Sequence, residues 1–249
     1  MPLSEIKKNI EKVIIGQSNE IDLLLIALIN EGHVLLESVP GTGKTMLAKT
    51  FAASIDSQFK RVQFTPDVLP SDITGIRFFN PKTQEFQLHH GPVMTNILLA
   101  DEINRATPKT QSSLLEVMEE RQVTIDGETH PLPFPFMVIA TQNPVESQQG
   151  TFSLPTAQLD RFFIKVEIGY PAIDAEKMII KKHLRDEPIK EITAVCQPGE
   201  LKELKRKLKH IKVSEVIENY ILEIIMETRS NPSVELGVSP RGTLALFRA

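Results

Sequence analysis

The stretch "HVLLESVPGTGKTMLAKTFA", residues 33 to 52, divides into an apolar run, a turn rich in glycine, and a helical pattern. Strand, turn and helix in that order form the context a phosphate-binding loop requires. The turn ends in Gly43-Lys44-Thr45, yet the pattern G-x-x-x-x-G-K-[ST] asks for glycine where this chain has Ser38. Ser38 sits where the strand leaves the sheet, ahead of the turn, whereas Gly41 and Gly43 fall where backbone and phosphate would meet. Backbone N–H groups from Gly41 to Thr45 can surround a β-phosphate at the positive end of the helix. Lys44 would reach the β- and γ-phosphates, and the Thr45 hydroxyl would bind Mg2+. Pro40, Thr42 and Met46 complete the stretch expected to contact the nucleotide, ATP.

A working loop needs the remaining parts of a nucleotide site downstream of it. Five short apolar runs read as buried strands: "HVLLES" (33–38), "RVQFT" (61–65), "NILLADE" (96–102), "FMVIATQN" (136–143) and "FFIKVEI" (162–168). They are near-continuously apolar, as strands covered on both faces tend to be. Helical patterns lie between them. Ile21, Leu24, Leu25 and Leu28 share one face, and Leu114, Leu115, Val117 and Met118 repeat the spacing. Alternating strands and helices predict an α/β core over residues 1–170, with a central parallel five-stranded sheet flanked by helices. From residue 171 to 249 only helical patterns occur, which predicts a small all-α lid. The last pattern ends at Ala249 without a stop signal, so the lid is expected to be partial. "TPDVLPSDITGIRFF" and "NPKTQEFQLHHGP" form an insertion between the second and third strands. "RQVTIDGETHPLPF" predicts a hairpin turning at Asp126-Gly127. Both should project from the sheet.

Three further elements complete a nucleotide site. In "NILLADEINRA" an apolar strand ends in two carboxylates; Asp101 can hold Mg2+ through water, and Glu102 can accept a proton from the attacking water. In "MVIATQNP" the next strand ends beside it, so that Asn143 is placed to position that water or to contact the γ-phosphate. In "LPTAQLDRFFIKVEI", Arg161 stands at the entrance of the last strand. Its guanidinium suits either a neighbouring subunit's site or a salt bridge with Asp160.

The bulk composition sets limits on function. With 249 residues, 41% hydrophobic and 24% charged, the chain has the make-up of an ordinary globular protein with a substantial core. Its 28 Lys+Arg against 32 Asp+Glu, a net of -4, gives no strong footprint for nucleic acid. The basic run "KELKRKLKHIK" reads as a solvated helix face. The single cysteine, Cys196, excludes an intrachain disulfide and reads as a small hydrophobe. The histidines, His33 among them, show no metal-ligand spacing and read as surface or loop residues. No stretch is apolar over a bilayer's thickness and no signal peptide is evident, so a cytoplasmic location without membrane insertion is expected.

Taken together, "IIGQ" (14–17), "PSDITG" (70–75), "LLADEINRATPKTQSSLLEVMEERQVTIDG" (98–127), "VIATQNPVESQQGTF" (138–152), "LPTAQLDRF" (154–162) and "GVSPRGTLAL" (237–246) resemble the AAA+ ATPases, specifically the MoxR family. The resemblance implies roles by position. Gly41, Gly43, Lys44 and Thr45 stand in Walker A, Asp101 and Glu102 in Walker B, and Asn143 at sensor 1. Arg161 stands at the arginine finger, Arg241 of "SPRG" at sensor 2, and Gly16 and Gln17 line the adenine pocket. It also implies a ring, usually a hexamer, with chaperone-like remodelling of client proteins. Partners carrying a von Willebrand factor A domain, whose metal site the family helps mature or regulate, are implied as well. Two other functions share this site chemistry: a nucleic-acid motor or loader, and the ATPase subunit of a metal chelatase. The mixed or acidic projecting segments count against the first; only overall family resemblance separates the second.

Overall fold

All five apolar runs contribute strands to one parallel sheet in a computed structural model that describes residues 2–143, 150–183 and 188–249. Residues 144–149 of the family-like string "VIATQNPVESQQGTF" lie outside the described residues. Helices α1 (Pro2–Glu11) and α2 (Ser18–Ile29) precede β1 (Val34–Ser38), and α3 (Lys44–Ser54) leads to β2 (Phe59–Gln63). The insertion comprises α4 (Pro70–Thr74) and a hairpin of β3 (Gly75–Asn80) and β4 (Glu85–His90). Strand β5 (Ile97–Asp101), helix α5 (Pro108–Glu120) and the hairpin β6 (Gln122–Ile125) and β7 (Glu128–Pro131) come after it. Next are β8 (Met137–Gln142), α6 (Thr156–Leu159) and β9 (Ile164–Ile168), then α7 (Ile173–His183), α8 (Pro198–Leu208), α9 (Glu215–Ser230) and α10 (Pro240–Arg248).

The sheet runs β2-β5-β8-β1-β9, with every pairing parallel. The chain leaves β1 for the far edge, returns through β5 and β8, and only then lays β9 on the other side of β1. The strand order therefore switches direction between β8 and β1, and the crevice beyond the strand tips at such a switch is where open α/β sheets bind ligands.

Alternation along each central strand feeds two separate cores. Val34 and Leu36, Ile97 and Leu99, and Met137 and Ile139 pack with α1, α2 and α3. The intervening Leu35, Leu98, Ala100, Val138 and Ala140 pack with α5 and the insertion. Both faces are covered, and for this reason the runs read as continuous rather than alternating. Edge strands β2 and β9 differ: they are half exposed, and β2 begins at Phe59, ahead of the predicted 61. Its pairing ends with Gln63 opposite Asp101, so Phe64 and Thr65 lie beyond the strand. In α2 and α5 every apolar residue singled out by spacing is buried.

The two hairpins pack against each other outside the sheet, joined by an Arg77–Glu128 ion pair of 2.6 Å and an edge-to-face contact of His90 with His130. Asp126 (φ 49) and Gly127 (φ 82) both take left-handed values, as a two-residue turn between twisted strands requires. After β9 the described chain is helical. Segment 193–195 docks on the end of α3, where the Val195 N–H donates to Ser54 O at 3.0 Å and Asn9 Nδ2 donates to Thr193 O at 2.9 Å. Cys196 and Leu201 enter the first core, and burial pushes the Cys196 thiol up to about 11, so it stays protonated. Helix α9 buries Ile225 but leaves Val216 and Tyr220 exposed.

His33 corrects the sequence expectation. It is 4% exposed, with Nε2 donating to Met118 O at 3.0 Å and Nδ1 accepting from the Val138 N–H at 2.9 Å. The ring thus ties β1 to α5 and β8, a contact with no signature in local sequence. Burial first, and the nearby Arg121 second, lower its pKa from 6.5 to about 3. Its stabilising contribution is therefore complete above the unfolded value of 6.5 and drains away as pH falls toward about 3, because only the unfolded chain takes up the proton in that window. His33→Phe should cost about 1–3 kcal/mol in urea unfolding near neutral pH, since it orphans a buried N–H and a buried carbonyl. It should also flatten the acid loss of stability; identical pH slopes in variant and wild type would contradict this assignment.

Candidate functional site

Between the end of β1 and the start of α3, Gly41 (φ 84) and Gly43 (φ 82) take left-handed values that other residues adopt only under strain. A Cβ at either would meet no heavy atom within 4 Å, so the loop presents an open side there. Gly43 is the N-cap of α3 and supplies no side-chain cap. The first N–H groups of the helix are thereby left to an anion at its positive end. Thr42 is buried and braces the loop from behind, donating to Val39 O at 3.2 Å. Gln17 Nε2 donates to Thr42 O at 3.1 Å, and a Cβ on Gly16 would lie 2.8 Å from that of Ala175. The Gly16–Gln17 turn is therefore held between the loop and α7. Ser38, at the strand exit, is buried.

The carboxylates are placed by strand parity. Asp101 has the parity of Ile97 and Leu99, so it faces the α3 side of the sheet, toward the loop. One Asp101 oxygen, Oδ1, accepts the Thr141 hydroxyl at 2.6 Å; the other, Oδ2, accepts Arg61 Nη2 at 2.6 Å and Nε at 3.1 Å. Glu102 adopts φ 57, ψ 49, a conformation that costs a non-glycine residue about 1–3 kcal/mol. Its N–H donates to the same Thr141 hydroxyl at 2.9 Å, which supports this bend. Glu102 Oε2 accepts Gln63 Nε2 at 2.8 Å and Arg105 Nη1 at 3.0 Å. Gln63 Oε1 in turn accepts Arg61 Nη2 at 2.5 Å. Asn143, just past β8, is buried at the adjoining strand tip.

Loop and strand tips enclose a cavity of about 580 Å³, within the usual range for a small-molecule site. Pro40, Gly41, Gly43, Lys44, Thr45 and Met46 line one side and Asp101 and Glu102 the other. Lys49, Arg61 and Gln63 also reach it, with Ile189 arriving from the C-terminal helical part. A carboxylate and a hydroxyl are hard oxygen donors of the kind Mg2+ prefers. The donor atoms of Thr45 and Asp101 therefore fit the metal in kind, with the Arg61 guanidinium on Asp101 Oδ2.

Arg161 and Arg241 lie elsewhere. Both line a separate cavity of about 750 Å³ formed by α10, the turn before β1, the end of α5 and the start of β9. Arg241 pairs with Glu119 at 2.8 Å. Asp160 accepts the Ser239 hydroxyl at 2.7 Å, and an Asp160–Arg161 salt bridge is not among the ion pairs of the described residues. Sequence reasoning missed Thr141, Arg61, Gln63 and Lys49. Thr141 ends a readable strand, but the pairing of Ala100 with Ala140 that sets Asp101 and Thr141 side by side is visible only in the structure. Arg61 and Gln63 carry no comparable signal, since nothing local says which strand β2 joins.

Comparison with known proteins bears on the family and the fold. Residues 33–164 match the family model of the ATPase family associated with various cellular activities (AAA). Uncharacterized protein YeaC of Bacillus subtilis is 49% identical over 99% of this chain and 77% of its own length. Chaperone MoxR1 of Mycobacterium tuberculosis is 41% identical over 96% of this chain, which spans 65% of that relative; for Protein MoxR of Methylorubrum extorquens the figures are 33%, 66% and 49%. A crystal structure of a candidate ATPase from Cytophaga hutchinsonii superposes with a TM-score of 0.91 at 38% identity, over 99% of this chain and 77% of that one. With the AAA model covering the phosphate loop and strand-tip carboxylates, and MoxR proteins matching across most of its length, the chain belongs to the MoxR family of AAA+ ATPases.

Proposed function

We propose that this chain hydrolyses Mg-ATP and uses the cycle to remodel a partner protein. The observation carrying the proposal is the cavity across which Lys44 and Thr45 face Asp101 and Glu102. Residues 1–170 serve as the nucleotide-binding core and 171–249 as a helical lid. Gly41 to Thr45 cradle the phosphates, Lys44 neutralises the β- and γ-phosphates, and Gly16 and Gln17 contact the base. Thr45 and Asp101 would hold Mg2+, which when bound supplies charge stabilisation to the transferring phosphoryl group. Glu102 takes the proton of the attacking water, and Asn143 orients that water.

Arg161 and Arg241 share a face away from the cavity, which supports a role for both at the nucleotide of an adjoining copy rather than their own. A ring, with six protomers as the family resemblance implies, would supply that copy. Among the described residues no helix is long and apolar enough to cross a membrane. The name of the chaperone relative supports action on a client. A protein with a von Willebrand factor A domain is the client we propose, in the cytoplasm.

Glu102→Gln should retain binding of a fluorescent ATP analogue while phosphate release falls about 100-fold or more, the scale of a lost general base. Lys44→Ala should lose the binding itself. A Glu102→Gln protein that still releases phosphate within about threefold of wild type would remove Glu102 from that role.

A further inference from the structure

Asp101 is a carboxylate with 9% side-chain exposure, and a buried carboxylate is costly unless it is paired. The structure gives it two partners of different character. Thr141 belongs to the central strand β8 and is fully buried, so its hydroxyl is a permanent fixture. Arg61 belongs to the edge strand β2, its side chain is 45% exposed, and it lines the nucleotide cavity beside Lys44 and Thr45. Its guanidinium grips Oδ2 with both Nε and Nη2.

We propose that Arg61 is a stand-in cation, holding the metal-ligating carboxylate in the absence of the metal and leaving it when Mg2+ arrives with nucleotide. This rests on the reading of Asp101 as a metal ligand. Two geometric facts favour a displaceable partner over a fixed ion pair. The guanidinium and Asp101 both line the cavity that Lys44 and Thr45 also line. Its half-exposed position on an edge strand lets it swing out without disturbing the sheet. The same Nη2 also donates to Gln63 Oε1, whose amide holds Glu102, so a guanidinium that swings out must give up this bond as well. The arrangement makes metal binding a competition: a guanidinium must be displaced from Asp101, and the metal's apparent affinity is lower by that amount. Arg61 is a positioning residue here, acting on Asp101 rather than on substrate.

The test is the Mg2+ dependence of ADP binding, measured with a fluorescent ADP so that hydrolysis plays no part. Arg61→Gln should lower the Mg2+ concentration for half-maximal effect by about three- to tenfold, the scale of a partly exposed pair. Arg61→Lys, which keeps the charge, should return it toward wild type. In 15N-labelled wild type, the Arg61 Nε–H resonance should shift when Mg2+ is added to the ADP complex. Asp101→Asn separates the two readings. If that variant keeps the wild-type metal dependence, Asp101 is not a ligand and both readings fall. If it abolishes the dependence while Arg61→Gln leaves the midpoint unchanged or raised, only the stand-in role falls.

Discussion

Parallel pairing of β5 with β8, in register from Ile97 opposite Met137 to Ala100 opposite Ala140, is the constraint on which the site depends. It brings Thr141 level with Asp101 and lets one hydroxyl serve both the Asp101 carboxylate and the Glu102 backbone. A slip of one residue would turn Asp101 away from the loop and toward the α5 core, where an unpaired carboxylate is costly. The same register is enforced by packing: Leu99 and Ile139 fill the first core while Leu98, Ala100, Val138 and Ala140 fill the second. Chemistry at the strand tips is thus positioned by apolar contacts several residues away.

Charge is arranged around this frame in opposed groups. Lys44 and Lys49 line the same cavity as Asp101 and Glu102, while Arg61 is paired directly with Asp101. The acidic pair is tied to residues of β2 and to Arg105, rather than to the loop lysine. The loop is accordingly presented with open N–H groups and a lysine available to an anion. Arg161 and Arg241 occupy a different face, lining one cavity together.

What the sequence disclosed was local. The phosphate loop needed only a strand, two glycines, a lysine and a threonine in line, and the β6–β7 hairpin needed only Asp126-Gly127. Central strands were readable because both of their faces are covered, which leaves an uninterrupted apolar run. The edges were less so: β2 starts earlier than its apolar residues suggest because backbone pairing to β5, not hydrophobicity, defines it. His33 is a clearer case. Its burial is permitted by a carbonyl on α5 and an N–H on β8, neither of which a local reading can anticipate. The Arg61–Asp101 pair spans 40 residues of chain and depends on β2 crossing to the far edge. Long-range register, then, was the missing information.

The central claim is that each working site takes its base from one protomer and its arginine from the next. Mixing two disabled proteins tests it directly: Glu102→Gln keeps Arg161 but lacks the base, and Arg161→Ala keeps the base but lacks the arginine. Combined in equal amounts and allowed to exchange subunits, they should recover ATP hydrolysis at roughly a quarter of the wild-type rate, since random mixing rebuilds about one site in four. Hydrolysis that stays at the average of the two separate proteins would mean that Arg161 serves its own protomer or none, and the shared-site account would fail.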